Sequence, residues 1–498
     1  MTVAVLTGVA FVLVLAVMAG AARPRRSRGG ADLTAAARAV PPWWNGAAIS
    51  SEFTSAAACL GLAGLIANHG GPMVWYPVGA AAGFVITLAL VVAPVRRSGT
   101  YSLADFAEWR LRSRMVRGVT TCCVLLVGLA FIIAQLHAAG VVVRLLTGLP
   151  PWLGWAGVAA TALVVAFAGG MGSVTSVQAT QFWLKLVIFL GVGAVCWWMS
   201  GTRPIIWFHG AYRVVAEHGP AGTGDPSLPG VLTVLGACAL GTMGLPNVIV
   251  RVYANRDGRG ARRALVAAQA MLAAFCVVPP MYGLLGRAHA PGAAADEIVL
   301  LLPARMVPGA VGEVLTGLLA TGAFAAFLAT TGGLLVAVGG AVSTCTTRGG
   351  LTSFRVSVAL VLTAALALTA VTSARVSLAL VLLGFSLSAA TLCPLLVLGI
   401  WWRRLTDAGA AAGCALGGGV TAVLVVGDQV GVKMGALFTY PAPVAVPLAF
   451  AAMVMISLVT PGRVPRGVGR MMARMHLPEN LASPLTYRSS IPDDRSSQ

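Results

Sequence analysis

Charge is what this sequence has least of. Only 10% of its 498 residues are charged, only 15 are acidic, and lysine occurs twice, at 185 and 433. A soluble domain of this length keeps a charged surface around a core of limited size, so a chain that is 58% hydrophobic is not built that way. The nine cysteines sit mainly inside apolar runs and form no CxxC or CxxH pattern. They read as buried thiols, with no metal site or disulfide framework. No Walker loop, zinc spacing or nucleophile–base–orienter set appears, which removes support for an ATP-driven pump or a membrane hydrolase. Also missing is any stretch able to fold as a separate soluble domain. The longest polar pieces are 200–229 and the tail 461–498, too short for a kinase or receiver module, so a membrane sensor fits poorly.

What the chain does have is apolar runs of membrane-crossing length. Thirteen are expected, at roughly 3–22, 43–67, 74–95, 119–147, 152–171, 177–199, 230–252, 263–286, 310–342, 354–373, 376–401, 408–427 and 440–460. The net charge of +19 comes from 32 arginines that fall mostly between these runs, which argues against nucleic-acid binding. Alternate loops (23–42, 96–118, 251–263, 343–355, 402–407) and the tail hold 26 Lys and Arg, against seven on the opposite side. The positive-inside rule then predicts a multi-pass plasma-membrane protein with its N-terminus outside and its C-terminus in the cytoplasm. "RPRRSR" follows the first run rather than preceding it, which predicts a retained anchor helix and not a cleaved signal. The expected organisation is an anchor helix and loop (1–42), a ten-helix core (43–405), two further helices (406–460) and a basic tail (461–498), partly disordered by its composition.

Polar residues inside such runs are costly and usually face protein or a water-filled cavity. The second run, "NGAAISSEFTSAAACLGLAGLI", carries Ser50, Ser51, Glu52, Thr54 and Ser55 in its first half. A break there would free backbone carbonyls able to hold a cation. Five runs later "GTMGLPN" places Gly241, Gly244 and Pro246 close together, the strongest signal for a second interrupted helix. Two interrupted helices at matching places in two five-helix halves point to an inverted-repeat carrier, and favour alternating access over an open channel; the alternative is that Gly and Pro merely allow close helix packing. The ninth run puts Thr330 and Thr331 at mid-span, as hydroxyl ligands for a small hard cation or as back-bonded helix residues. In the fourth run lie Gln135 and His137, the histidine reading either as a proton sensor or as a buried ring bonded to a neighbouring helix. Lys185 lies about two turns inside the sixth run, where a lysine ordinarily snorkels to the membrane face.

These pieces resemble the sodium/solute symporter family, most closely its cation/acetate (monocarboxylate) members. The resemblance runs nearly colinearly from about 43 to 415. It rests on the second run with its acidic residue, "GTYSLADFAEWRLRSRMVRG", "IAQLHAAG", "GGMGSVTSVQ", "GTMGLPNVIVRVYANRDGRGARRAL" and "CPLLVLGIWWRRLTDAGAAAG". It implies an all-α, leucine-transporter-type 5+5 inverted-repeat core with about thirteen membrane helices. It further implies a solute site at the midplane between runs two, four, seven and eleven. By position, a sodium ion would be held by backbone oxygens of Ser51, Thr54 and Ala326 and the Thr330 hydroxyl. Candidate solute contacts are Glu52, Ser55, Gln135, Gly241, Gly244 and Asn247.

Three positions depart from the family pattern. Ala329 replaces the usual serine before Thr330, Gln178 stands where many members have an aspartate, and Asn247 stands where acetate-type members place a histidine. The expectation is therefore a secondary transporter, not an enzyme, needing no bound cofactor. It would take up a small carboxylate such as acetate, propionate or pyruvate together with a coupling cation, Na+ or H+. Carriage of another solute (amino acid, sugar or urea) and ion-independent exchange are the alternatives. With Ala329 one sodium ligand is lost, which makes Lys185 a coupling candidate if its ammonium reaches the emptied region.

Overall fold

The computed structural model describes residues 2–21, 38–201, 228–346, 350–373, 377–429 and 441–478. Every regular element among them is helical. In chain order these are α1 (Thr2–Ala21), α2 (Pro42–Phe53), α3 (Leu62–His69), α4 (Trp75–Leu90), α5 (Val92–Ser98), α6 (Leu103–Leu111), α7 (Arg114–Thr147), α8 (Trp152–Met199), α9 (Leu228–Gly244) and α10 (Pro246–Tyr253). There follow α11 (Gly258–Phe275), α12 (Val278–His289), α13 (Ile298–Met306), α14 (Ala310–Thr346), α15 (Leu351–Val371), α16 (Ser377–Leu387), α17 (Cys393–Trp401), α18 (Asp407–Gln429), α19 (Ala442–Val459) and α20 (Val468–His476). Helices are what hydrocarbon permits, because they satisfy their backbone groups within one segment. Val187, Trp198, Leu360 and Val371 stand exposed on the outside, as side chains that face lipid do.

Among the described residues nine helical stretches are long and apolar enough to cross a membrane. They become eleven when α2–α3 and α4–α5, bent by 65° and 50°, each count as one span. The 48 residues of α8 would reach about 72 Å if straight, more than twice the hydrocarbon depth of about 30 Å. They break instead at Gly169 and Gly170; Gly170 takes φ 55°, ψ −133°, a backbone region only glycine enters freely. With α8 taken as two spans and α1 as the first, the elements fall on the thirteen expected runs, although the turn lies a few residues earlier than the 172–176 gap between runs.

The two halves pack alike. In the first, α11 lies along the broken helix α2; in the second, α9 lies along α4, so each half lends a helix to the other's core. The central helix is α14, buried along nearly its whole length against α7 and α8. Helices α18 and α19 pair with each other at the periphery.

Several arginines counted as loop charges act as pins. Arg110 of α6 is buried and donates to the carbonyls of Gly399 (2.8 Å) and Trp402 (3.0 Å). Arg117 pairs with Asp105 and Glu108. Arg251 is not in a loop: it lies fully buried within α10, which corrects the charge count by one. The tail begins as the short helix α20, whose Met471, Met472 and Met475 are buried and whose Arg474 lies over the Trp109 ring. Residues 22–37, 202–227 and 479–498, most of the first loop, most of the 200–229 piece and the end of the basic tail, lie outside the described residues.

Candidate solute and cation site

The first break follows α2. At Thr54 (φ −74°, ψ 66°) the chain leaves the helix, and the Ser55 amide reaches back only to the Phe53 carbonyl, at 2.8 Å. Helix resumes through a wide π turn, Ala57–Gly61, and continues as α3. A new helix start leaves orphan N–H groups. One of them, the Ala56 amide, donates to Gln135 Oε1 of α7 at 2.9 Å. The second break separates α9 from α10 at Leu245, which turns extended (ψ 121°) immediately before Pro246. Proline opens a helix without loss, since its missing N–H would have been an orphan there. Both interruptions thus lie where the polar cluster and the Gly-Leu-Pro run predicted them.

Charge concentrates between the breaks. Arg251 Nε donates to Glu52 Oε2 at 3.2 Å, with side chains 0% and 2% exposed. The same guanidinium also donates to Thr175 Oγ1 and Gln178 Oε1. Gln178 Nε2 in turn donates to the Ala329 carbonyl at 2.5 Å, and the Asn247 side chain lies beside the Glu52 carboxyl. One network therefore ties α2, α8, α10 and α14 together. A buried charge needs such partners to be tolerated, although Glu52 Oε1 itself has no hydrogen-bond partner among the described residues. Glu52 faces protein, as expected, but as half of an ion pair and not as an open carboxylate.

Behind Glu52 the carbonyls freed by the break are occupied. Lys185, on the second half of α8, does not snorkel. Its Nζ is fully buried and donates to the Ser51 carbonyl (2.5 Å), the Thr54 carbonyl (3.0 Å) and Thr54 Oγ1 (2.7 Å). Thr330 Oγ1 donates across to the Glu52 carbonyl at 2.8 Å instead of back along its own helix. Ala326 is buried one turn earlier in α14. Thr331, also buried, has no bonding partner for its hydroxyl among the described residues.

Beside this cluster lies a cavity of about 30 Å³. Its polar lining includes Glu52, Ser55, Asn247 and Thr330, and its apolar walls include Ala57, Ala58, Phe53, Tyr76, Phe131 and Phe385. Phe385 meets the Phe53, Tyr76 and Phe131 rings edge-on at centroid distances of 6.4, 5.8 and 5.3 Å. Of the expected solute contacts, Glu52, Ser55 and Asn247 line the cavity, while Gln135 stands behind it holding the break. Gly241 and Gly244 do not line it. They let α9 approach the eleventh run, where an added Cβ would come within 2.6 Å of the Phe385 carbonyl and 2.7 Å of Ser388 Oγ. His137 is elsewhere, in a cavity of about 430 Å³ that Arg144, Trp155 and Glu297 also line, with its Nε2 2.9 Å from Thr372 Oγ1. It is a ring bonded to a neighbouring helix.

Sequence reasoning missed Arg251 and the aromatic walls. Arg251 was legible, standing four residues after Asn247 and so on the same helix face. The phenylalanines carry no polar signature that separates a cavity wall from core.

Two helices broken at matching places, polar groups gathered at the breaks and a small cavity between them define a multi-pass membrane carrier and not an enzyme. The chain belongs to the sodium:solute symporter family, which it matches over residues 34–417. Membership makes it a membrane transporter that moves a small solute with a coupling cation. A curated relative, the uncharacterized symporter YwcA of Bacillus subtilis (strain 168), is 26% identical over 440 residues, covering 82% of this chain and 84% of its own. Among solved structures, a Na+-coupled sialic acid symporter in a substrate-bound outward-open state superposes with a TM-score of 0.73 at 13% identity. The match covers 92% of this chain and 98% of that one. Mhp1, a nucleobase-cation-symport-1 family transporter in a closed conformation, gives 0.58 at 14%, covering 90% and 99%. At such identities the likeness establishes the fold alone: an all-helical, leucine-transporter-type membrane protein.

Proposed function

We propose that this protein takes up a short monocarboxylate, such as acetate, propionate or pyruvate, by alternating access around the cavity between α2–α3 and α9–α10. The observation that carries the reading is the convergence of two half-helix starts on a very small cavity. Ala57 and Ala58, which open the helix after the first break, line it, as do Leu245 and Asn247 at the start of α10. First-turn N–H groups and the positive end of the helix dipole favour an anion without any arginine. That matters because, among the described residues, no Arg, Lys or His lines the cavity, and Arg251 is taken up by Glu52. The aromatic walls and the alanines suit a methyl or ethyl group. Ser55 and Asn247 would hold the carboxylate, with Gln135 fixing the break. The arginine-rich side is assigned to the cytoplasm, which places uptake from the N-terminal side of a plasma membrane.

The test is uptake of radiolabelled acetate, propionate and pyruvate into proteoliposomes, with amino acids, sugars and urea as competitors. Saturable carboxylate uptake, competed only by other short carboxylates, is the expected outcome. Specific uptake of a neutral sugar with no competition by carboxylates would overturn the assignment.

A further inference from the structure

We infer that the Lys185 ammonium is the resident cation of the site at the α2 break, so that transport proceeds without sodium and the proton carried on Nζ is the coupling ion. This rests on the reading of the chain as a solute carrier and names its coupling cation. The oxygens freed by the break form a receptor for a cation. In this chain they are met one for one: three N–H donors of an ammonium and three acceptors, Ser51 O, Thr54 O and Thr54 Oγ1. A sodium ion placed there would meet a fixed positive charge at contact distance. It would also find few spare ligands, since a hard cation asks for about six oxygens. The Thr330 hydroxyl is committed to the Glu52 carbonyl, Ala329 offers only a methyl group, and the Ala326 carbonyl lies within an uninterrupted helix.

Among the described residues, the remaining groups around Nζ add no competing base. Glu52 on α2 is paired with Arg251 of α10, so together they are neutral. Cys59, in the π turn, directs its thiol at the Thr54 carbonyl at 3.5 Å. From α12, the Tyr282 hydroxyl donates to the Phe189 carbonyl at 2.9 Å, one turn along α8. The segment of α14 facing the site, Phe324–Thr331, holds no ionisable side chain. Among the described residues around the break, the ammonium is thus the charge not held in an ion pair, and it bridges α8 to the first broken helix. Loss of the proton to water removes that charge and leaves an amine with two N–H donors for three oxygens. The tie between the two helices then loosens. Reloading from the other side restores it. Only a proton moves, so charge and atoms balance over the cycle.

The experiment is concentrative uptake into proteoliposomes at fixed membrane potential, with choline replacing sodium and with or without an inside-alkaline pH gradient. In parallel, the melting temperature of the purified protein is measured in NaCl and in choline chloride. Wild type should accumulate solute equally well without sodium and follow the pH gradient, and sodium should not raise its melting temperature. Lys185→Met should lose gradient-driven accumulation by about tenfold or more, as expected when three charged hydrogen bonds go. Lys185→Met with Ala329→Ser should gain stabilisation by sodium. Wild-type uptake that requires sodium, a sodium-specific rise in wild-type melting temperature, or sodium-free uptake indifferent to pH would each overturn the inference. Should no carboxylate be moved at all, the solute assignment fails, while the melting measurement still judges Lys185. Should the variants not fold, the wild-type measurements decide alone.

Discussion

Removing the Arg251 guanidinium tests how the two broken helices are held together. Arg251 and Glu52 are enclosed, 0% and 2% exposed, and Nε stands 3.2 Å from the carboxylate. The Arg251→Met side chain fills much of the same volume but supplies no donor. Glu52 is then left buried without its paired guanidinium, with the Lys185 ammonium as the nearest remaining positive charge, and Thr175 and Gln178 lose the arginine donor as well. Breaking one side of a buried pair costs about 3–5 kcal/mol, most of it the uncompensated charge and not the lost attraction. Glu52→Gln with Arg251→Met removes both charges, so the double variant should recover much of that loss. The assay is thermal unfolding of the detergent-purified protein for wild type, both single variants and the double. Arg251→Met should melt well below wild type, with the double variant between them. Non-additivity of this sign is the mark of direct coupling between the two groups. An Arg251→Met melting temperature equal to wild type, or a double variant as unstable as the sum of the singles, would refute the reasoning.

Three further outcomes follow from the same geometry. Gly244→Val places atoms where even a Cβ would lie 2.7 Å from Ser388 Oγ and 2.9 Å from the Ser388 carbonyl. It should destabilise by about 1–3 kcal/mol through overpacking and abolish uptake, and normal uptake would show that α9 and the eleventh run need not touch. Gln135→Leu leaves the Ala56 amide without its acceptor, at a cost of about 1–3 kcal/mol. It should weaken solute affinity more than it lowers maximal rate, and an unchanged half-saturation concentration would count against a role in holding the break. For topology, Gly210→Cys and Asn480→Cys, each in a background free of native cysteine, should react with an impermeant thiol reagent from opposite sides of the membrane. Reaction from the same side would exclude the proposed orientation.

The order and positions of the helices were legible in the chain itself. Runs of about twenty apolar residues can do little else than cross a bilayer, and proline or paired glycine inside such a run marks where it gives way. That is why Thr54 and Leu245 fall where the polar cluster and the Gly-Leu-Pro run pointed. Gln135 and Asn247 announced themselves in the same way, because amides in a hydrocarbon-facing segment need a protein partner. Partners across the fold were not legible. Nothing in the spacing of Glu52 and Arg251, 199 residues apart, says that they meet. Arg251, adjacent to a basic loop, read as one more loop charge.

The lysine marks the division most sharply. Alone in its run, Lys185 has two outcomes that differ by a rotation of the helix and the reach of a flexible side chain: a head at the membrane face or a head in the core. Hydrophobicity and charge counting govern where a segment lies, since both depend on the segment's own composition. Which oxygens an ammonium finds depends on the packing of α8 against the first broken helix, a property of the assembled halves. The sequence therefore determined the class, the spans and the two breaks. Only the tertiary structure decided that Glu52 is paired, that Gly241 and Gly244 serve packing, and that the carbonyls freed by the first break are filled from within by Lys185.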